Sequence, residues 1–178
     1  MQVPLVFVQT VIKMMKITYM ILVLLMTLLA CSRDTADIKQ VKGTIIRYNQ
    51  LLAEGYTKMN MNPMQEVATE EQATKVYYHM AALGEAKVRL ESEVKEIEFL
   101  DIQSIDIQNV AVRTRETWDF RHVNYETLQI GLQEKGFIYT LKYELTKKGD
   151  RWLVSRVTAL GEEKGPGKGS KSRKEGAQ

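Results

Sequence analysis

Thiols, histidines and phosphate-binding glycine patterns are all scarce in this 178-residue chain, which has one cysteine, two histidines and 11 glycines. A single cysteine, Cys31, excludes an intramolecular disulfide framework and any zinc site built on several thiolates. His79 and His122 have no HExxH spacing and no second cluster of ligands. They read as surface or packing residues, and no metal is expected. Gly43, Gly55, Gly84 and Gly131 stand alone, without a GxGxxG or Walker pattern, and no cofactor is expected. Ser92, Ser104 and Ser155 lie in no nucleophile elbow. A surplus of charge is lacking too. The 25 Lys+Arg against 22 Asp+Glu leave a formal charge of +3, too little to point to nucleic acid. The length suits one domain with extensions, and 44% hydrophobic residues suffice for a buried core.

The two ends differ from the middle. Residues 1–30 contain no acidic residue and only Lys13 and Lys16 as charges. Residues 17–30, ITYMILVLLMTLLA, carry no charge and are short for a spanning helix, which needs roughly 20 apolar residues. A basic segment, an apolar run and a small residue before a junction describe a secretory signal. Leu28-Leu29-Ala30-Cys31 resembles a bacterial lipobox. The resemblance implies cleavage after Ala30 and acylation of Cys31, which then holds the chain at a membrane. Met14-Met15 sits where such a signal begins, so residues 1–13 read as lying upstream of the true start. Ser32 after the cysteine resembles lipoproteins on the periplasmic face of the outer membrane of a Gram-negative cell. At the other end, residues 161–178 (GEEKGPGKGSKSRKEGAQ) have no aliphatic side chain larger than alanine and read as a disordered basic tail. Residues 31–36 are then a tether, and 37–160 the folded domain.

Within that domain the hydrophobic period changes once. Ile38, Val41, Ile45, Tyr48, Leu52 and Tyr56 recur at steps of three and four, one face of a helix. Asn62 and Pro63 read as cap and first residue of a second helical region running to about Ser92. After it the period becomes two. A strand is expected over about 94–107. A second follows over 110–121, with Val110, Val112, Thr114, Glu116, Trp118 and Phe120 on one face. Phe137, Tyr139, Leu141, Tyr143 and Leu145 form the inner face of a third strand. Lys147-Lys148-Gly149-Asp150 turns it into a fourth at Trp152-Leu153-Val154. Helices first and then a meander of strands is an α+β order: N-terminal helices packed on a curved antiparallel sheet of about four strands.

The order, together with YNQLLAEGY (48–56), VRTRETWDF (112–120) and YTLKYELTKKGDRWLVSRV (139–157), resembles the nuclear transport factor 2-like superfamily. Its cone-shaped fold is shared with ketosteroid isomerases and SnoaL-like cyclases. The RETW strand and the hairpin are similar to bacterial relatives of the intermembrane-space domain of plastid division proteins. The resemblance implies a cone, whether hollow or filled, and dimerisation through the sheet, for which the Arg113/Arg115 face is the candidate contact. Enzymes of this superfamily set a carboxylate base beside tyrosine or acid donors inside the cone. No such set matches here; Tyr48, Tyr56 and Tyr77 are donors only by helix face.

Glu116 is the one carboxylate that alternation places on the inner face. A charge there is costly unless paired, which suggests either a structural partner for an arginine or for helix amides, or a general base or ligand contact. Glu116, Trp118 and Tyr48 are the candidate ligand-binding residues and Cys31 the lipidation site; no catalytic residue is assigned. Arg113, Arg115 and Arg121 alternate to the opposite face. The expected function is a membrane-tethered envelope lipoprotein whose cone binds a protein or small apolar ligand without catalysis. The alternative is a small isomerase, dehydratase or hydrolase using the same cavity.

Overall fold

The computed structural model describes Tyr19 and residues 37–163. The signal segment as a whole, Cys31, the tether 31–36 and the tail from 164 onward lie outside the described residues. Two compact units divide the chain, Met1–Gln40 and Val41–Gln178. In the first, Tyr19 and residues 37–40 are helical.

Helix α1 occupies residues 37–58. Val41, Ile45, Tyr48 and Tyr56 of its apolar stripe are buried, joined by Leu51 and by Asn49. The helix closes at Met59, whose φ of 53° is left-handed, and the Asn60 N–H reaches back to the Gly55 carbonyl at 2.9 Å. The second helical region is two pieces rather than one. A short 3-10 helix, Asn62–Glu66, has Pro63 in its first turn and buries Met64. Asn62 caps nothing there. The chain then straightens, because Val67 and Thr69 hydrogen-bond to Val154 of the sheet at 2.8 and 2.9 Å. Thr69 caps helix α2, Glu70–Glu85, its hydroxyl accepting from the Gln72 N–H.

Helix α2 stops at Glu85, short of the expected end near Ser92, and Lys87 turns the chain with φ 60°. Val88, Leu90 and Ser92 alternate in the period of a strand, and the ladder to β2 claims them. Strand β1 is therefore Val88–Ser104, with β2 Asn109–Asn124, β3 Ile130–Lys148 and β4 Arg151–Glu163. The sheet order is β1-β2-β3-β4, with every neighbour antiparallel. Gly149, φ 59°, makes the tight turn into β4. β4 continues past the expected boundary at 160, since Gly161, Glu162 and Glu163 pair with Thr140, Tyr139 and Ile138.

Register shifts recur along all three pairings, at Lys95, Leu100, Asp119 and Ser155 among others. Each extra residue bends its strand, and together they curl the sheet. At Asp119 the carboxylate accepts the Gly136 N–H at 2.7 Å, with Gly136 at φ 65°. The inner face of the curled sheet packs on α1 and α2, and Val112, Tyr143, Leu145 and Val154 are essentially inaccessible. The result is the α+β architecture expected from the sequence, N-terminal helices packed on a curved antiparallel sheet of four strands. On the outer face Arg113 faces Asp101 at 3.9 Å, Arg115 faces Glu163 at 3.5 Å and Arg121 faces Glu91 at 2.6 Å. No helix among the described residues is long and apolar enough to cross a membrane.

Candidate functional site

Three elements bring the chemistry-bearing side chains together. Glu116 lies at the centre of β2 on the inner face, at 0% exposure. Its Oε1 accepts from Asn49 Nδ2 at 3.1 Å, from the Thr114 hydroxyl at 2.9 Å and from the Tyr143 hydroxyl at 2.8 Å. Its Oε2 accepts from Trp118 Nε1 at 3.0 Å. Thr114 and Trp118 flank Glu116 by two positions on β2, so strand alternation alone aligns them with it. Asn49 arrives from α1 and Tyr143 from β3. Four donors on one buried carboxylate offset much of the cost of taking it out of water.

Tyr143 also lies 3.1 Å from Asn49 Oδ1, so one hydroxyl proton faces two acceptors. Tyr48 packs edge-on against Tyr143, with ring centroids 6.1 Å apart. Its hydroxyl accepts from Gln72 Nε2 of α2 at 2.7 Å. Burial pushes the Tyr48 phenol up to about 12; the Gln72 hydrogen bond opposes this and the Glu116 charge adds to it. Burial raises Tyr143 well above the ordinary tyrosine value, and Glu116 pushes the same way. Both keep their protons across the physiological range.

Beside this knot is a cavity of about 320 Å³ between α1 and the sheet. Tyr48, Asn49, Trp118 and Tyr143 form its deep wall, and Leu52, Leu90, Phe120 and Leu141 extend it outward. At the rim the Tyr56 hydroxyl is hydrogen-bonded to His79 Nδ1, with the rings edge to face at 5.4 Å. Burial raises the Tyr56 phenol as well. Ser92, His122, Tyr139 and Val157 complete the lining, which includes no Asp, Glu, Lys or Arg. Glu116 is not part of the surface; it sits behind Trp118, Asn49 and Tyr143. Among the described residues there is no cluster of three or more potential metal ligands.

The structure thus brings Glu116, Trp118 and Tyr48 to one place. Tyr56 joins them in the cavity, whereas Tyr77 is 49% exposed outside it. His79 and His122 both reach the cavity lining. Asn49, Tyr143 and Gln72 were not singled out from sequence. Asn49 carried a signal, one turn after Ile45 on the buried stripe, where a polar side chain needs a partner.

No family model and no curated protein matches the sequence. Solved structures do match. The intermembrane-space region of the chloroplast protein ARC6 superposes with a TM-score of 0.58 at 10% identity, over 68% of this chain and 95% of that one. The Kfla4162 protein of Kribbella flavida gives 0.44 at 12% identity, over 68% and 92%. An NTF-2 like protein of Shewanella oneidensis MR-1 gives 0.37 at 14% identity, over 66% and 97%. The ARC6 likeness is one of fold.

Proposed function

We propose that the chain is a cell-envelope lipoprotein, held at the membrane through acylated Cys31, whose cone binds a small uncharged ligand rich in aromatic or aliphatic surface and performs no chemistry on it. The observation that carries the binding reading is the pairing of a lined cavity with a sealed carboxylate. The cavity is of the size that holds small ligands. Its wall presents Tyr48, Tyr56, Trp118, Phe120, Tyr139 and Tyr143. A general base must reach the proton that it takes. Glu116 has no exposed surface, and its oxygens are engaged by four protein donors.

N-phenyl-1-naphthylamine, a neutral fluorophore, should brighten on the wild-type chain. Leu90→Trp, which fills the cavity, should weaken that binding at least about tenfold, or roughly 1.4 kcal/mol. Equal binding by both chains refutes the cavity as the site. Turnover of a small ester or hydroxy-ketone that is abolished by Asn49→Ala would instead support the isomerase, dehydratase or hydrolase reading. For the anchor, the native chain should partition with membranes, whereas Cys31→Ser should be soluble or unprocessed, because stable anchoring takes two or more acyl chains. Finding Met1 or Met14 at the mature N-terminus refutes it.

A further inference from the structure

We infer that the end of the sheet made by the β1–β2 and β3–β4 turns is a membrane-docking surface that rests on the phospholipid bilayer; the inference builds on the lipid-anchor reading above. Ile105 and Ile107, in the β1–β2 turn, are 62% and 88% exposed, and Leu100 nearby on β1 is 44% exposed. The turn is not loose. The Asp106 carboxylate accepts the Gln108 N–H at 2.7 Å and Asn109 Nδ2 at 2.9 Å, and the Ile105 N–H donates to the Asn109 carbonyl. Side chains of this size, held outward by a braced turn, stay largely exposed among the described residues.

The β3–β4 turn lies alongside, tied by the Lys147 N–H to the Gln108 carbonyl at 2.8 Å. It presents Lys148 and Arg151, both exposed and neither forming an ion pair among the described residues. Of the acids at this end, Asp106 is exposed and hydrogen-bonds within its own turn, and Asp150 has a partner as well. Isoleucines beside unpaired cations match the interface of a bilayer with anionic headgroups, apolar depth flanked by negative charge.

Chain connectivity points to the same end. Thr44, early in α1, donates to the Trp152 carbonyl at 3.3 Å, and Lys42 stands 5.0 Å over the Phe99 ring. Thr44 therefore lies by the β3–β4 turn, while the far end of α1 meets His79 at the cavity rim. Residues 31–36 span at most about 20 Å even when fully extended. An acylated Cys31 cannot sit far from the start of α1.

The test uses the full chain purified from membranes and reconstituted into vesicles containing about 30% phosphatidylglycerol. Ile107→Cys and, at the opposite end of the sheet, Leu128→Cys each carry a nitrobenzoxadiazole label. A lipid with a headgroup-proximal spin label should quench position 107 at least about threefold more than position 128. Adding Lys148→Glu and Arg151→Glu should at least halve the quenching at 107, since each cation near an anionic surface contributes about fivefold in binding. Equal quenching at both positions, or shielding of 107 only when envelope proteins are added, overturns the docking surface. Alkylation of Cys31 in the otherwise unaltered chain reports the anchor separately. A reactive Cys31 refutes the anchor; greater quenching at 107 than at 128 in labelled chains that also carry Cys31→Ser then still upholds the docking surface.

Discussion

Replacing Glu116 by glutamine changes one oxygen for an NH2 group at nearly constant volume, in a site where all four neighbours donate. The amide has two orientations. With its nitrogen at the Oε1 position it confronts three donors, Asn49, Thr114 and Tyr143; at the Oε2 position it confronts only the Trp118 indole. The second orientation is preferred and loses one hydrogen bond to a carboxylate, about 1.5–3 kcal/mol. It also leaves the buried Trp118 N–H unsatisfied, a further cost of about 1–2 kcal/mol. The expected destabilisation is about 2.5–5 kcal/mol, a large share of the roughly 5–15 kcal/mol that holds a domain together. For a domain of this size that is a fall in Tm of about 10–20 °C. Thermal melts of the full chain by circular dichroism at neutral pH provide the measurement. Trp118→Phe in the Glu116→Gln background supplies an internal check. Removing the unsatisfied N–H should make the double variant less destabilised than the sum of the singles, by about 1 kcal/mol or more. A Glu116→Gln chain that melts at or above the wild-type temperature refutes the reasoning and marks Glu116 as a strained functional carboxylate.

Alkaline titration tests the buried phenols. Tyr48, Tyr56 and Tyr143 all have raised folded-state values, Tyr48 about 12 against 10 when unfolded. Their stabilising effect is fully present below pH 10, and for Tyr48 it is lost as pH climbs toward 12, because the unfolded state releases the proton first. The slope is about −1.4 kcal/mol per pH unit for each tyrosine. Phenolate absorbance should show these three ionising only as the fold melts, and ionisation of any of the three below pH 10.5 in a still-folded chain contradicts the burial argument. Trp152→Ala should cost about 3–5 kcal/mol by urea denaturation, since it empties a site that is 4% exposed and packed against α1; a loss under 1 kcal/mol means that the core does not depend on it.

Much of the architecture was legible because it rests on periodicity. The three- and four-residue steps from Val41 to Tyr56 and the alternation from Val110 to Phe120 each fix which side chains face inward, whatever the rest of the chain does. Glu116 stood out for the same reason, a carboxylate on an otherwise apolar face. Element ends were less legible. Val88–Ser92 follow directly on a helix and suit either state locally, and only the partner residues of β2 decide for the strand. Thr69 became a cap, and Asn62 did not, because Val154 of the distant β4 draws Val67 and Thr69 straight.

The sequence by itself determined the α+β order, the four strands, the inward face of β2 and the candidate lipid-attachment cysteine, since each depends on neighbours in the chain or on residue type. Tertiary structure decided what Glu116 touches. Asn49 is 67 positions away and Tyr143 is 27. Gln72 meets Tyr48 across 24. No local period encodes such distances; they are set by how α1 and α2 pack on the curled sheet. The same packing left a cavity beside the knot instead of filling it, lined by residues of α1, α2 and all four strands.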